Sequence, residues 1–411
     1  MDLISHVERR HPLYELCYPL FRLIHNRIYY RQFDIRGRGQ LPPAGVPYIM
    51  VCNHQNGLND AMAMLFAQND RSRRPVFIAR ADIFSNAFTA RMLKLLRIMP
   101  AYRVRDTGVG SVNKNQAVFQ HAAHILTQGG VIGIFPEAVA HATHQLNNFK
   151  KGFARIALMA EEACDFQLGL QIVPVGLHYS NYEQAQSRLC LSFGKPFGLQ
   201  NLKAVYQDNP QKAYTLLCQQ AHDAVRPLML DVPSDDYAMR DAACRMTESM
   251  LPDREQRPYY RVLDMLRKVA DTPADSSRVQ QWLELLRAKA LDESLPTLPQ
   301  TRQQMTNRFM RLLLLAIPAL IGLLLFLPTW LIVRLTLQHV RTDVLRASFK
   351  IGLGTTVGSL NGLTAIVVGA LAGGLPAAIV TACCCLPTAW ACVRFHYSSR
   401  VYRQLRKVAR Q

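Results

Sequence analysis

Hydrophobic residues follow two different patterns along the chain. Between about residues 46 and 200, short apolar runs alternate with longer stretches in which apolar residues recur at helical spacing. This alternation predicts an α/β domain with a central mixed sheet flanked by helices. The expected strands are residues 48–52, 76–79, 131–135, 172–176 and 189–193, and the expected helices are residues 61–68, 88–96, 115–128 and 153–163.

The C-terminal third carries long apolar runs of the kind that enter membranes. Residues 312–333 are uncharged and about long enough for one crossing, and residues 351–393 are long enough for two, joined at the glycine pair that begins at Gly373. Three full crossings would place the basic C-terminal tail opposite the α/β domain, against the positive-inside tendency. Pro318 and Pro328 allow the first run to be re-entrant, which means that it enters and leaves the membrane on the same side. We favour that arrangement because it places the basic tail on the cytoplasmic side.

The remaining regions are predicted to be helical. Residues 13–30 place leucines and isoleucines at helical spacing beside arginines, which predicts an amphipathic helix bent at Pro19. That helix either lies in the membrane interface or packs on the α/β domain, and the pattern leaves both open. The expected organisation is a lead-in at residues 1–45, an α/β domain at 46–200, a proline-broken helical region at 201–306, and a membrane domain with a basic tail at 307–411.

The charge balance indicates an anionic partner. The chain has 48 Lys and Arg against 29 Asp and Glu, which gives a formal net charge of +19. Nucleic acid, an acidic membrane face and a phosphorylated substrate all fit that excess. The apolar C-terminal third suits a membrane protein, so we expect anionic lipids and no nucleic acid.

The termini and cysteines indicate the compartment. The first twelve residues are charged and lack an apolar core, so we expect no signal peptide and a cytoplasmic α/β domain. The ten cysteines contain no C-x-x-C pair, which favours buried thiols in a reducing compartment over a metal site.

The candidate chemistry follows the first expected strand. His54 stands just beyond residues 48–52, and Asp60 opens the next expected helix after an Asn/Gly turn. A carboxylate that binds one ring nitrogen of a histidine fixes the tautomer, so that the other nitrogen can act as a general base. No Ser or Cys stands out as a nucleophile, which favours direct deprotonation of a substrate hydroxyl.

Further segments accompany this pair in a fixed order. They are residues 80–84, 98–106, 134–138 with 146–152, and 172–177. Together with the His54 and Asp60 segment, this set resembles the glycerolipid acyltransferase family, which includes the glycerol-3-phosphate and lysophosphatidate acyltransferases. The resemblance runs from about residue 46 to residue 197. It implies that residues 46–200 form the catalytic domain, and that His54 deprotonates the acceptor hydroxyl for attack on an acyl thioester.

Two departures from the family pattern affect the expected site. The commoner spacing would place the acid at position 59, which is Asn59 here, so the resemblance transfers the role to Asp60, as in the longer-spaced branch with fungal-type glycerol-3-phosphate acyltransferases. The third motif is usually Phe-Pro-Glu-Gly, and this chain keeps Glu137 but has Ala138 in place of the glycine. Alanine disfavours positive φ, which glycine adopts freely.

The resemblance also implies residues for substrate binding. Arg103 stands at the position linked to the acceptor phosphate, with Lys150 and Lys151 as helpers. Glu137 and Pro174 complete the expected acceptor site. The backbone N–H groups of residues 173–176 are candidates for stabilising the oxyanion. No metal or other cofactor is expected, since the donor is itself a substrate, acyl-CoA or acyl carrier protein.

The sequence therefore predicts an integral O-acyltransferase of phospholipid biosynthesis, with its catalytic domain on the cytoplasmic side of the cytoplasmic membrane. The expected acceptor is glycerol 3-phosphate. Lysophosphatidate or a lipid with another head group stays open as the acceptor. A different class, an inactive membrane scaffold or lipid-binding protein, stays open as well.

Overall fold

The computed structural model describes residues 3–9, 11–68, 70, 73–102, 110–252, 254–340 and 343–409. These residues form two compact units that interleave along the sequence. The first comprises the chain up to Leu20, Ile35–His178 and Cys190–Met229, and the second comprises Phe21–Asp34, Tyr179–Leu189 and the chain from Leu230 onward. The units follow spatial packing, so the four-region division along the sequence stays a prediction.

A mixed, mostly parallel sheet confirms the predicted α/β class. Its strands are β1 Gln32–Arg36, β2 Tyr48–Cys52, β3 Val76–Arg80, β4 Ile98–Ala101, β5 Val131–Ile134, β6 Gln171–Tyr179, β7 Arg188–Phe193 and β8 Phe197–Gly198. They are ordered β1-β7-β6-β2-β5-β3-β4, and β8 also pairs with β6. Strand β2 lies parallel between β5 and β6, with Met50 opposite Gly133 on one side and Val173 on the other.

All five predicted strands are present, and three further strands were not predicted. The predicted strands β2 and β5 are buried at every residue, which explains their unbroken apolar sequence. In contrast, β1 is half-buried and polar, β4 contains Pro100, and β8 has two residues. Strands β1 and β4 lie at the two ends of the sheet order, where a polar sequence or a proline is tolerated.

The predicted helices of the α/β domain are also present. Among the residues that the structure describes, the α-helices are α1 Pro12–Leu23, α2 Leu58–Ala67, α3 Ala87–Leu95, α4 Gly110–Thr127, α5 Gly152–Glu162, α6 Lys203–Asp208, α7 Pro210–Val225, α8 Tyr237–Ser249, α9 Tyr259–Asp271, α10 Ser276–Ala288, α11 Arg302–Leu325, α12 Leu327–His339 and α13 Asp343–Ala409. The main core of the first unit joins the central strands to α4, α5 and α7, through side chains such as Ile132, Leu126 and Leu217.

Helix α1 confirms the predicted N-terminal helix and defines its faces. It continues into a π-helix at Ile24–Tyr29, and Pro19 lies inside α1 without ending it. The Tyr14 and Tyr18 rings are buried against the Arg74 guanidinium, at 4.9 Å and 3.8 Å from the two ring centroids. Leucines on the other face are exposed, namely Leu13, Leu16 and Leu23.

The first apolar run, residues 312–333, is divided between two helices. Helix α11 ends at Leu325 and α12 begins at Leu327. Pro328, in the first turn of α12, has no N–H to donate, so it ends the hydrogen-bond ladder of a continuous helix. The Asn361 side-chain amide donates to the Leu325 carbonyl over 3.2 Å, which gives this carbonyl at the end of α11 a hydrogen-bond partner.

The second apolar run contains the predicted turn. Helix α13 leaves helical geometry at Gly373 and at Gly374, whose φ is 68°, so it is two helices joined at that pair. By length and composition, α11 and α13 are each apolar enough to cross a membrane, and their leucines are widely exposed.

The second unit fixes the ends of these helices together. Glu255 accepts from Arg308 near the start of α11 over 3.1 Å and from the Tyr397 hydroxyl near the end of α13 over 3.3 Å. Burial alone would raise the pKa of Glu255, but Arg31, Arg308 and Arg394 lower it to about 2. The basic tail of α13 therefore lies at the same end of the unit as the start of α11.

A glycine contact between α11 and the last part of α13 gives a test of this packing. A Cβ at Gly322 would lie 2.2 Å from the Thr388 carbonyl oxygen, whereas a Cβ at Gly354 would meet nothing within 4 Å. We expect Gly322→Ala to lower the free energy of unfolding in detergent by about 1–3 kcal/mol, because the helices must separate. Gly354→Ala is the matched control and should leave it unchanged or slightly higher; equal effects would contradict this packing.

Candidate active site

The end of β2 is tied to the neighbouring strand β6. The buried Asn53 side chain donates to the Leu177 carbonyl over 3.0 Å and accepts from the Leu177 N–H over 2.7 Å. This two-way bond acts like one extra rung of the sheet beyond the last residue of β2. The next residue, His54, therefore leaves the sheet from a fixed point.

A buried carboxylate organises the turn after β2. Asp60 is fully buried and accepts from His54 Nδ1, from the Gln55 N–H and from the Asn56 N–H, each over 2.8 Å through Oδ2. Gly57 precedes α2 with φ 54° and ψ −132°, a conformation restricted to glycine. The carboxylate assigns the proton of neutral His54 to Nδ1, which leaves Nε2 to exchange a proton.

The structure thus places Asp60, and not Asn59, against the histidine ring. Both residues are buried in the first turn of α2. The His54 side chain retains 18% of its exposed area, so the ring can meet a substrate while its partner is shielded from water. Their catalytic roles stay predictions that this geometry supports.

The loop after β5 surrounds His54 on its other sides. The His54 N–H donates to Glu137 Oε1 over 2.7 Å, and the His54 carbonyl accepts from the His141 N–H over 3.0 Å. The Phe135 ring stacks on the imidazole, with centroids 4.4 Å apart and an interplanar angle of 17°. His54 is therefore held at both main-chain groups and at one ring face.

Glu137 was predicted as a substrate-binding residue, but its carboxylate points into the protein. Its Oε1 accepts from His54, and its Oε2 accepts from the Asn147 N–H over 3.1 Å and from Asn147 Nδ2 over 2.6 Å. Burial raises the pKa of Glu137, and the hydrogen bonds from Asn147 and His54 oppose part of that rise. Both oxygens are thus engaged by donors of the same domain.

Ala138 adopts the conformation that the glycine of the motif would supply. Its φ is 65°, in the left-handed region, and its N–H donates to the Phe135 carbonyl over 3.1 Å. The turn at Glu137 therefore keeps its geometry although alanine disfavours it.

The other predicted site residues lie at different distances from the histidine. The Lys150 N–H donates to the Pro136 carbonyl over 2.8 Å, its side chain is exposed, and Lys151 precedes the first residue of α5. These two lysines thus continue the loop that holds His54. Arg103 lies outside the described residues, so its expected phosphate contact stays a prediction.

Pro174 lies inside strand β6, and its place in the acceptor site stays a prediction. It stands opposite Val51 in the β2–β6 pairing, and its carbonyl accepts from the Gly194 N–H over 2.8 Å. Because β6 has hydrogen-bonded strands on both sides, the N–H groups of Val173, Val175 and Gly176 are directed into sheet ladders, and Pro174 has no N–H. They are therefore poor candidates for binding an oxyanion beside His54.

Sequence reasoning missed Asn53, Phe135 and Asn147. Asn53 and Phe135 belong to segments that were singled out, and their polar or aromatic side chains at strand ends were a usable signal. Asn147 also lies within a segment that was singled out, residues 146–152, but nothing in the sequence indicated its contact with Glu137, because that contact depends on the path of the loop. Among the residues that the structure describes, no three His, Cys, Asp or Glu side chains are grouped to hold a metal ion.

Known proteins share this part of the chain. A model of the acyltransferase family matches residues 32–178. Glycerol-3-phosphate O-acyltransferase 2 of Saccharomyces cerevisiae is 31% identical over 131 residues, and glycerol-3-phosphate O-acyltransferase 1 of the same yeast is 29% identical over 143 residues. These segments cover 32% and 35% of this chain and 17% of each relative, so the chain spans about a sixth of the relatives' length.

Among solved structures, the 1-acyl-sn-glycerophosphate (LPA) acyltransferase from Thermotoga maritima is similar with a TM-score of 0.34. It is 16% identical in sequence, and the similarity covers 54% of this chain and 86% of that chain.

The strained alanine beside Glu137 gives a stability test. We expect Ala138→Gly to raise the free energy of unfolding by about 1 kcal/mol, because glycine adopts φ 65° without the Cβ penalty. Ala142→Gly, four residues along the same loop, should give no gain, since Ala142 is outside the set of residues described with positive φ. Thermal unfolding of both variants measures the difference. A loss of stability in Ala138→Gly would contradict the backbone assignment.

Proposed function

We propose that this chain is a glycerolipid acyltransferase that transfers a fatty acyl group from a thioester to a hydroxyl of glycerol 3-phosphate, because residues 32–178 match a model of the acyltransferase family and similar yeast proteins are glycerol-3-phosphate O-acyltransferases. The observation that carries this proposal is the buried Asp60 bound to His54 Nδ1, with the ring partly open to solvent. An inactive scaffold has no need to keep a carboxylate, a histidine and two backbone donors in this geometry.

The proposed reaction is acyl transfer with His54 as the general base. His54 Nε2 takes the proton of the acceptor hydroxyl as its oxygen attacks the thioester carbonyl. The new C–O bond forms, the C–S bond breaks, and the imidazolium returns the proton to the leaving thiolate. Asp60 stabilises the imidazolium between these steps and keeps the ring oriented.

Electrostatics supports an acceptor that carries phosphate. The net charge of +19 favours anionic substrates and an anionic membrane surface together. Lys150 and Lys151 extend from the loop whose main chain holds His54, and Arg103 is retained as a phosphate ligand from the resemblance. The donor in this proposal is acyl-CoA or acyl carrier protein, both of which are also anionic.

The choice of glycerol 3-phosphate over lysophosphatidate rests on two points. The five-residue gap between His54 and Asp60 is the one in the longer-spaced branch, and two similar yeast proteins are named as glycerol-3-phosphate O-acyltransferases. Lysophosphatidate remains the second acceptor to be tested, because the motifs are common to both reactions.

A membrane location is part of the same proposal. Helices α11 and α13 expose long apolar surfaces, and the leucines of α1 face away from the buried tyrosines. We infer that α11 to α13 insert in the cytoplasmic membrane, and that α1 lies in its interface with the catalytic domain on the cytoplasmic side.

Acyl transfer by membranes that carry the protein tests the main proposal. Labelled acyl-CoA or acyl carrier protein thioester is supplied with glycerol 3-phosphate or with lysophosphatidate, and we expect product from the first acceptor. His54→Ala should lower kcat by about 10²- to 10⁴-fold, because the general base is lost. His124→Ala, an exposed histidine of α4, is the matched control. Product from neither acceptor would refute the proposal.

The position of the working acid has its own test. Asp60→Asn should lower kcat by on the order of 10³-fold, because an amide nitrogen facing Nδ1 favours the wrong tautomer. The double variant Asp60→Asn with Asn59→Asp moves the acid to the commoner spacing. We expect it to recover no activity, since Asp60 alone lies against His54 Nδ1. Recovery to wild-type rates would show that the acid works from position 59.

A further inference from the structure

The loop from Phe135 to Asn147 contacts His54 at its N–H, its carbonyl and its ring. It reaches the His54 N–H through Glu137, the His54 carbonyl through the His141 N–H and the imidazole through Phe135. The same loop accepts from Gln55 Nε2 at the Thr143 carbonyl over 2.8 Å. Two consecutive residues of the base segment are thus fastened to one loop.

Glu137 is the centre of this arrangement. Its two oxygens face opposite ends, Oε1 to the His54 N–H and Oε2 to the two donors of Asn147, and the residue is 5% exposed. A carboxylate that bound the acceptor would have to leave these donors behind in a buried place. With all three hydrogen bonds kept, Glu137 connects Asn147 to His54.

We propose that Glu137 and Asn147 are positioning residues that hold His54 by its main chain, and that Glu137 does not contact the acceptor. The inference rests on the proposed function, in which His54 is the general base. Asn147 matters because its side-chain amide and its N–H both fix Glu137 Oε2, so the carboxylate cannot swing away from His54. The two hydrogen bonds thereby set where the histidine leaves β2.

Positioning of this kind has a specific kinetic signature. The imidazole must reach the acceptor hydroxyl while Nδ1 stays on Asp60, and a displacement of the His54 peptide moves both ends of the ring. Such a displacement slows the chemical step without weakening the binding of either substrate. A lost acceptor ligand would instead raise the KM for the acceptor.

The first experiment replaces the outer member of the pair. We expect Asn147→Ala to lower kcat by about tenfold to a hundredfold with the acceptor KM unchanged, because Glu137 is released. The neighbouring Asn148 is exposed, and Asn148→Ala is the matched control with wild-type kinetics. A raised acceptor KM with unchanged kcat in Asn147→Ala would overturn the proposal.

The second experiment exchanges the two functional groups. In Glu137→Gln the new amide NH₂ faces the Asn147 amide NH₂, so two donors oppose each other. In Asn147→Asp the new carboxylate faces the Glu137 carboxylate, so two acceptors oppose each other. In the double variant the amide introduced at position 137 can donate to the carboxylate introduced at position 147, while the amide oxygen still accepts from the His54 N–H. We expect the double variant to exceed the weaker single variant in kcat by at least about tenfold. A double variant no better than either single variant would count against a positioning pair.

A third measurement needs no activity, so it separates this inference from the proposed function. Hydrogen–deuterium exchange of the peptide that contains His54 reports its N–H bond to Glu137 directly. We expect faster exchange in Asn147→Ala than in Asn148→Ala. If the wild-type protein acylates neither acceptor, the proposed function fails while this result still stands. If transfer occurs but exchange is equal in the two variants, the positioning role alone is refuted.

Discussion

The buried carboxylate of Asp60 is the constraint on which the site depends. A buried carboxylate is unfavourable unless hydrogen-bond donors surround it. Here Asp60 Oδ2 accepts hydrogen bonds from His54 Nδ1 and from the N–H groups of Gln55 and Asn56. The turn between β2 and α2 closes around that oxygen, so folding of the turn and orientation of the ring are one event. The extra residue in the spacing is accommodated at Gly57, whose backbone conformation other residues avoid.

The central strands could be predicted from the sequence, and the edge strands could not. Strand β2 was predicted with its observed bounds because every residue of it is buried, so its hydrophobicity is continuous. The edge strands β1 and β4 were missed, since one is polar and the other contains Pro100. At an edge, pairing with one neighbour decides the conformation, and a single sequence does not reveal that neighbour.

The site divides in the same way. His54 and Asp60 lie six residues apart, so their contact is local and their residue types are informative. Asn147 joins Glu137 across ten residues of irregular loop, and no periodic pattern carries that contact. Pro174 lies within a strand next to β2, a position that the motif alone did not indicate. The catalytic pair could therefore be predicted because its two residues are close in sequence. The residues that hold the pair in place could not, because their contacts depend on the fold.

The helices of the second unit and the loop after β5 solve a common problem, because each must satisfy backbone groups at an irregular point. At the break after Leu325, the Asn361 side-chain amide donates to the Leu325 carbonyl at the end of α11. At Ala138 the chain adopts a left-handed turn that costs on the order of 1–2 kcal/mol for alanine. That turn directs Glu137 inward, where the bonds from His54 and Asn147 are charge-assisted and offset the cost. The motif's alanine is therefore compatible with an intact site. The turn must direct the Glu137 carboxylate toward the main chain of His54. The three hydrogen bonds that this carboxylate accepts, one from His54 and two from Asn147, stabilise Ala138 in the left-handed conformation.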